Sequence, residues 1–366
     1  MRILKIVVSG FRKLENNFCI DFIGDSTPRK AKKDNELAKI FCDTYAPLCY
    51  TIIGNNGHGK TSVLSLILLC YELLNNRRVR YNRLDFAKDK IDLEIFVAEY
   101  EYMYNYRCTL YPPEEVVYGH SFCRIERKWL AYKRVKKHHS KTFYKGKFYP
   151  VKENGEISRK NTPVYCVMQQ STREILLSII KMYKEINYDV FIRIFQLFEP
   201  HIDHVKLSED ENHFYIKSNG HINKLSISEM IEIISFGTLK GVLLYMTAYF
   251  ALKHSAILII DEIDASIKIQ ILINLLKLFI DKKTNPYNST IYLSTYNDAI
   301  LDLFRRNDSI FVVNKTKQNN VTIKSLTEHY HKRIRGYKSK FIENYEFTNN
   351  CAPKLTSEFI YYLHYK

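Results

Sequence analysis

Two short stretches hold the residues that could do chemistry. The first is Gly54-Asn-Asn-Gly-His-Gly-Lys60-Thr61, which fits the Walker A spacing of a phosphate-binding loop. Gly54, Gly57 and Gly59 allow tight turning and close approach of backbone N–H groups to an anion. The amides of the loop and helix start, Asn55, Asn56, Gly57, Gly59, Lys60, Thr61 and Ser62, are expected to surround the phosphates of ATP. Lys60 would reach the β- and γ-phosphates, and the Thr61 hydroxyl would bind Mg²⁺. The second stretch is Ala256 to Ile267, AILIIDEIDASI, five apolar residues ending in a carboxylate pair. Asp261 would hold Mg²⁺ through water and Glu262 would polarise the attacking water, which makes Glu262 and Lys60 the candidate catalytic residues.

Specific elements must position these groups. Thr51-Ile52-Ile53 reads as a short buried strand, and SVLSLILLCYELL after Thr61 has apolar residues at helical spacing. The loop is therefore expected between a strand and a helix, the context its motif requires. A parallel strand over Ala256–Ile260 would deliver Asp261 and Glu262 to the carboxyl edge of the same sheet. Between the two stretches, Ser235-Phe-Gly-Thr238 opens an apolar helix; a turn of this kind is either a second anion site or ordinary capping.

The remaining pattern is mixed. RILKIVV and FCIDFI read as hairpin partners, and residues 25–39 as a charged surface loop. From Ile91 the period becomes two, with Tyr100, Tyr102, Tyr104 and Tyr106 on one side of long antiparallel strands; that row is a packed sheet face or a platform for bases. A strand is expected over Val116–Tyr132 and another over Val164–Met168, ending at Gln169-Gln170. Ser171 and Glu174 form a capping box for the helix that follows, and residues 205–224 read as a polar hairpin. Asp302, Arg305 and Arg306 read as a solvated helix face.

Composition bounds the rest. With 366 residues and 46% apolar content the chain can bury a substantial core. No run of about 18 uncharged apolar residues suggests a membrane span. Eight scattered cysteines without a C-x-x-C pair read as reduced thiols of a cytoplasmic protein. The formal charge of +16 concentrates in residues 124–160, with thirteen Lys/Arg against three acids. That stretch is a solvated face or a surface for nucleic-acid phosphates.

Taken in order, the strand ending SGFR, GNNGHGKTS, MQQ after a strand, S-x-G-T before a helix, IIDEIDASI and a strand ending STYND resemble the ABC-type heads of the SMC/RecF/OLD group. Within it the motifs look most like stand-alone abortive-infection (AbiL-like) ATP-binding proteins, with a basic C-terminal tail. The resemblance covers about residues 1–315. It implies an α/β P-loop NTPase fold of ABC/SMC-head type, a mixed sheet with N-terminal antiparallel hairpins and a helical lobe. Residues 1–165 would form the first ATPase lobe with a basic β insert at about 112–160. Residues 166–234 would carry the Q-loop and helical lobe, and 235–366 the second ATPase lobe.

The same resemblance implies that two heads sandwich two ATP molecules as a homodimer, the loop of one facing Ser235 and Gly237 of the other. Arg12 would approach the phosphates, Gln169 or Gln170 would touch Mg²⁺ and water, and Asp264 would sit at the dimer seam. Tyr296 stands at the switch position, where the family carries histidine; a phenol is neutral near pH 7 but can donate a hydrogen bond. Slow ATP hydrolysis is therefore expected. The implied role is sensor or regulatory subunit in anti-phage defence, controlling a separate nuclease or toxin, with no nuclease activity in this chain. The alternative is a RecF-like DNA-binding repair clamp.

Overall fold

The computed structural model describes residues 1–25, 28–41, 43–81, 84, 86, 89–114, 121–135, 143–151, 157, 161–168 and 170–329, except the side chains of Pro28, Arg127, Lys128, Asp298 and His329. The basic tail after residue 329, Gln169, Lys136, Lys137 and residues 116–120 of the expected strand lie outside them.

β1 (Arg2–Ser9) alternates buried and half-buried positions and pairs antiparallel with β2 (Phe18–Asp21), as the apolar pattern of both stretches requires. The charged stretch after Asp25 is not one loop. It contains a single helical turn, α1 (Pro28–Ala31), and then β3 (Leu37–Phe41), which pairs with β4 (Thr44–Pro47). β5 (Cys49–Ile53) is buried at every residue and leads through the glycine loop into α2 (Lys60–Leu74). Helix α2 is buried on nearly all sides because it lies between two sheets.

β6 (Ile91–Glu99) and β7 (Tyr102–Tyr111) form a long hairpin, continued by β8 (Arg124–Arg134) and β9 (Tyr149–Pro150). The tyrosine row differs from its sequence pattern. Tyr100 sits in the hairpin turn with φ 53° and is 81% exposed, so only Tyr102, Tyr104 and Tyr106 share a face. Tyr106 is buried, and Tyr102 and Tyr104 pack on Tyr132, so the row is a packed sheet face. The antiparallel sheet runs β2-β1-β6-β7-β8-β9.

β10 (Val164–Val167) precedes the helical lobe. There α3 (Thr172–Tyr183) starts at a Ser171–Glu174 capping box, and α4 (Tyr188–Gln196) is capped by Asn187. The expected hairpin is a three-stranded sheet of β11 (Ile202–Leu207), β12 (His213–Ser218) and β13 (His221–Ser226). α5 (Ile227–Ile233) and α6 (Phe236–Lys253) follow, then β14 (Ile257–Ile260), α7 (Ile269–Ile280) and β15 (Thr290–Ser294). β16 (Ile310–Lys315), β17 (Val321–Ser325) and the short α8 (Leu326–His329) end the described chain.

The second sheet runs β10-β14-β15-β5-β16-β17, parallel except for β17. Its two faces bury different cores. One core joins the sheet to α3, α4, α6 and α7; the other holds α2 between it and the antiparallel sheet. At the centre Tyr50 and Tyr292 stack at 4.9 Å, and the Tyr50 hydroxyl donates to the Phe22 carbonyl at 2.6 Å. Arg306 is not solvated. It is half-buried between Asp34 and Asp308, its guanidinium tying the β3 region to the segment before β16. The architecture is α/β, with the glycine loop set between the parallel strand β5 and helix α2. The loop strand β5 is separated from the carboxylate strand β14 by β15, and an antiparallel sheet and a helical lobe flank them. Among the described residues no single helix is long and apolar enough to cross a membrane.

Candidate nucleotide-binding site

The parallel strands bring the sequence-expected residues to one edge. The glycine loop follows β5, Asp261 and Glu262 follow β14, Tyr296 follows β15 and Gln170 follows β10. Ligand-binding groups collect at the carboxyl ends of such strands because the connecting loops open there.

The loop is shaped for close backbone approach. Gly54 has φ 152°, and a Cβ there would lie 2.4 Å from the Val313 carbonyl oxygen. Gly59 has φ 98°, and a Cβ would meet Val321 Cγ2 at 2.9 Å. Gly59 is also the N-cap of α2, with no side-chain cap and no acidic residue in the first turn. The first N–H groups of α2 thus lack intrahelical acceptors, which suits an anion. Asn56 and Gly57 are exposed at the loop tip, whereas Lys60 is buried.

Lys60 bends back over its loop. Nζ donates to the Gly54 carbonyl at 2.7 Å and the Asn55 carbonyl at 3.2 Å, and lies 3.5 Å from the centroid of the Tyr296 ring. Burial pushes its ammonium down to about 8, against the opposing pull of Asp261, Glu262 and Asp264. The sign follows from linkage: the cation is full below about 8 and is lost as pH rises through that value. Phosphate attracts only the cation. ATP affinity is therefore expected to hold steady below about 8 and then fall with rising pH, approaching about tenfold per pH unit. Equilibrium titration with a fluorescent ATP analogue checks this, and a flat profile through that range would contradict it.

Thr61 Oγ1 donates to Asp261 Oδ2 at 2.7 Å, and Ser294 Oγ donates to Asp261 Oδ1. Asp261 is 3% exposed, so its carboxylate is fixed on both oxygens. A hydroxyl and a carboxylate in contact are hard oxygen donors, and the pair fits Mg²⁺, which takes few protein ligands and completes its shell with phosphate and water. Glu262 adopts φ 48°. Its N–H donates to Ser294 Oγ at 2.8 Å, its carbonyl accepts from Lys240 Nζ at 2.7 Å, and Oε1 accepts from the Tyr296 hydroxyl at 3.0 Å. Burial and the Glu262 bond push the Tyr296 phenol up to about 12. It stays a neutral donor near pH 7.

The other expected residues divide. Arg12, with φ 48°, brings Nη1 to 3.4 Å from Ser62 Oγ, beside the first turn of α2. It is placed there by the 11–15 segment, which pairs with Val321 through the Lys13 carbonyl and the Glu15 N–H. Asp264 accepts from the Tyr296 N–H at 3.1 Å, in the loop after the carboxylates. Ser235 and Gly237 open α6 as expected, but Ser235 Oγ accepts from the Thr238 N–H and donates to the Thr238 hydroxyl. Within this chain that turn acts as a cap. Of the two glutamines only Gln170 is described; it is half-buried, and its Oε1 finds no partner among the described residues. Lys240 and Ser294 were missed by sequence reading. Serine after a β-run carries no distinctive signal, and a lysine inside a helix reads as surface.

No protein-family model matches the sequence, and a search of curated proteins finds no match. Several solved structures are similar. The SMC head domain from Thermotoga maritima is 14% identical with a TM-score of 0.44, covering 89% of this chain and 99% of that one. The recombination mediator RecF from the RecFOR pathway is 10% identical with a TM-score of 0.41, covering 88% and 97%. A dimeric ATP-binding cassette bound to ADP and phosphate in a post-hydrolysis state is 12% identical with a TM-score of 0.34, covering 88% and 98%. At these values none of the three assigns a role to a residue of this chain.

Proposed function

We propose that the chain binds MgATP on the loop after β5 and hydrolyses it slowly, and that two copies close over two nucleotides and reopen after hydrolysis. One observation carries this reading. Lys60, Thr61, Asp261, Glu262 and Tyr296 contact one another at the carboxyl ends of β5, β14 and β15. The loop amides and Lys60 would neutralise phosphate charge, and Arg12 would add a cation beside Ser62. Glu262 would take the proton of the attacking water through Oε1 or Oε2, once the Tyr296 hydroxyl releases it. Mg²⁺, held by Thr61 and Asp261 with Gln169 or Gln170 nearby, would supply charge neutralisation at the phosphates. Phosphate release by the wild type, abolished in Lys60→Met, tests the reading; equal rates in both would overturn it.

Tyr296 also competes for the site, because its ring holds Lys60 and its hydroxyl holds Glu262. A cation over a tyrosine face is worth about 0.5–2 kcal/mol. Removing the ring in Tyr296→Ala is therefore expected to tighten MgATP binding by about two- to thirtyfold at equilibrium. Unchanged or weaker binding would show that the ring does not oppose phosphate.

At the level of biology we read the chain as a regulatory ATPase of anti-phage defence whose dimer state controls a separate effector. Support comes from the order of its motifs. A second reading, a RecF-like DNA clamp, is favoured by exposed Trp129 and Tyr149 beside Lys147 on the β8–β9 hairpin. Part of the basic stretch is already engaged. Lys133 donates to the Phe143 and Lys145 carbonyls, and Arg134 pairs with Glu101. Charge reversal at the exposed Lys145 and Lys147 is thus the sharper test. Salt-dependent DNA binding lost in that variant would favour the clamp, and absent binding would favour the protein-partner reading.

A further inference from the structure

Lys240 lies in the second turn of α6 and is only 7% exposed. A lysine is seldom so buried unless its ammonium is partnered. The partner here is a backbone carbonyl, that of Glu262, at 2.7 Å. Burial pulls the ammonium down against the opposing pull of Glu262, Asp264 and Asp261. The carboxylate pair thus stands close by, yet the hydrogen bond goes to the main chain.

That carbonyl belongs to a strained residue. A non-glycine φ of 48° must be held by its surroundings. Ser294 Oγ holds the Glu262 N–H, while Lys240 Nζ and the Ala265 N–H hold its carbonyl. Four residues on, the same loop meets α6 again: a Cβ on Gly237 would lie 2.3 Å from the Ser266 carbonyl oxygen. The first turns of α6 therefore grip the 262–266 loop at both ends.

We propose that Lys240 is a positioning residue, which fixes the peptide of Glu262 to helix α6 and so makes the aim of the Glu262 carboxylate depend on the Ser235–Gly237 turn. The inference rests on the ATPase reading. A nucleotide phosphate meeting Ser235 from a second copy would push on the N-terminus of α6, and Lys240 would pass that displacement to the water-activating carboxylate. Asp261 would be spared, since Ser294 and Thr61 hold it from other elements.

ATP turnover and binding of a fluorescent ATP analogue in Lys240→Met, Lys240→Arg, Lys60→Met and the wild type test this. Lys240→Met is expected to lower kcat about tenfold or more while analogue affinity stays within about threefold, because misaim of a base costs rate and not ground-state binding. Lys240→Arg, which keeps a donor for the carbonyl, is expected to recover most of the rate. Wild-type kcat in Lys240→Met would overturn the inference and leave the ATPase reading intact. So would parallel losses of kcat and binding that Lys240→Arg fails to rescue. Wild-type turnover no higher than that of Lys60→Met would remove both. Should Lys240→Met not fold, Lys240→Ala, which likewise offers the Glu262 carbonyl no donor, is read against the same outcomes.

Discussion

Glu262→Gln is expected to lower kcat for ATP hydrolysis by about 10²–10⁴-fold, the usual worth of a positioned general base. ATP affinity should change by no more than about threefold, since the base acts on water and not on the phosphates. The geometry supports so large a split. Glu262 follows the buried β14 directly, its peptide is held at both N–H and carbonyl, and its carboxylate touches the Tyr296 hydroxyl. Asp261, its neighbour, cannot substitute, because both of its oxygens accept from Thr61 and Ser294. Glutamine keeps the size and can still accept from Tyr296, so the fold and the loop should persist. Steady-state turnover together with equilibrium binding measures the split. A variant with wild-type kcat would place the base elsewhere.

Gly54→Ala is expected to destabilise the protein by roughly 3 kcal/mol or more, within the range reserved for strained backbone combined with steric overlap. At φ 152° the backbone is in a region that side chains rarely adopt, and a Cβ would stand 2.4 Å from the Val313 carbonyl oxygen. That oxygen belongs to β16, which pairs with β5, so neither partner can move without breaking the ladder. Gly57→Ala in the same loop is the control. Its φ is 72°, and nothing lies within 4 Å of the added atom, so it should cost only about 1–2 kcal/mol. Denaturant unfolding of the two variants measures the difference. Equal stabilities would show that the β16 contact does not constrain the loop.

The parts of the site that are local in sequence were legible. A glycine loop between an apolar strand and an apolar helix specifies its own geometry, and β5, the loop and α2 follow it. Asp261 and Glu262 were legible because a buried parallel strand ends where its polar residues begin. The Ser171–Glu174 box likewise announces α3. What escaped depends on partners far along the chain. Lys240 reaches a carbonyl 22 residues away, and Ser294 grips Asp261 from a strand 33 residues on. Arg306 reads as a surface cation until Asp34, 272 residues earlier, is placed beside it. The tyrosine row was misjudged at Tyr100, where period-two alternation continues through a hairpin turn that the side chains themselves do not mark. β17, too polar to announce itself, turned out to brace both the Arg12 segment and Gly59.

The reading as a nucleotide-gated dimer stands or falls on assembly. Light scattering after size-exclusion chromatography of Glu262→Gln, with and without MgATP, measures it directly. The expected result is a monomer that becomes a dimer only with MgATP, and that remains a monomer when Ser235→Arg is added at the N-terminus of α6. A species of unchanged mass with and without MgATP, in protein shown to bind ATP, would contradict it.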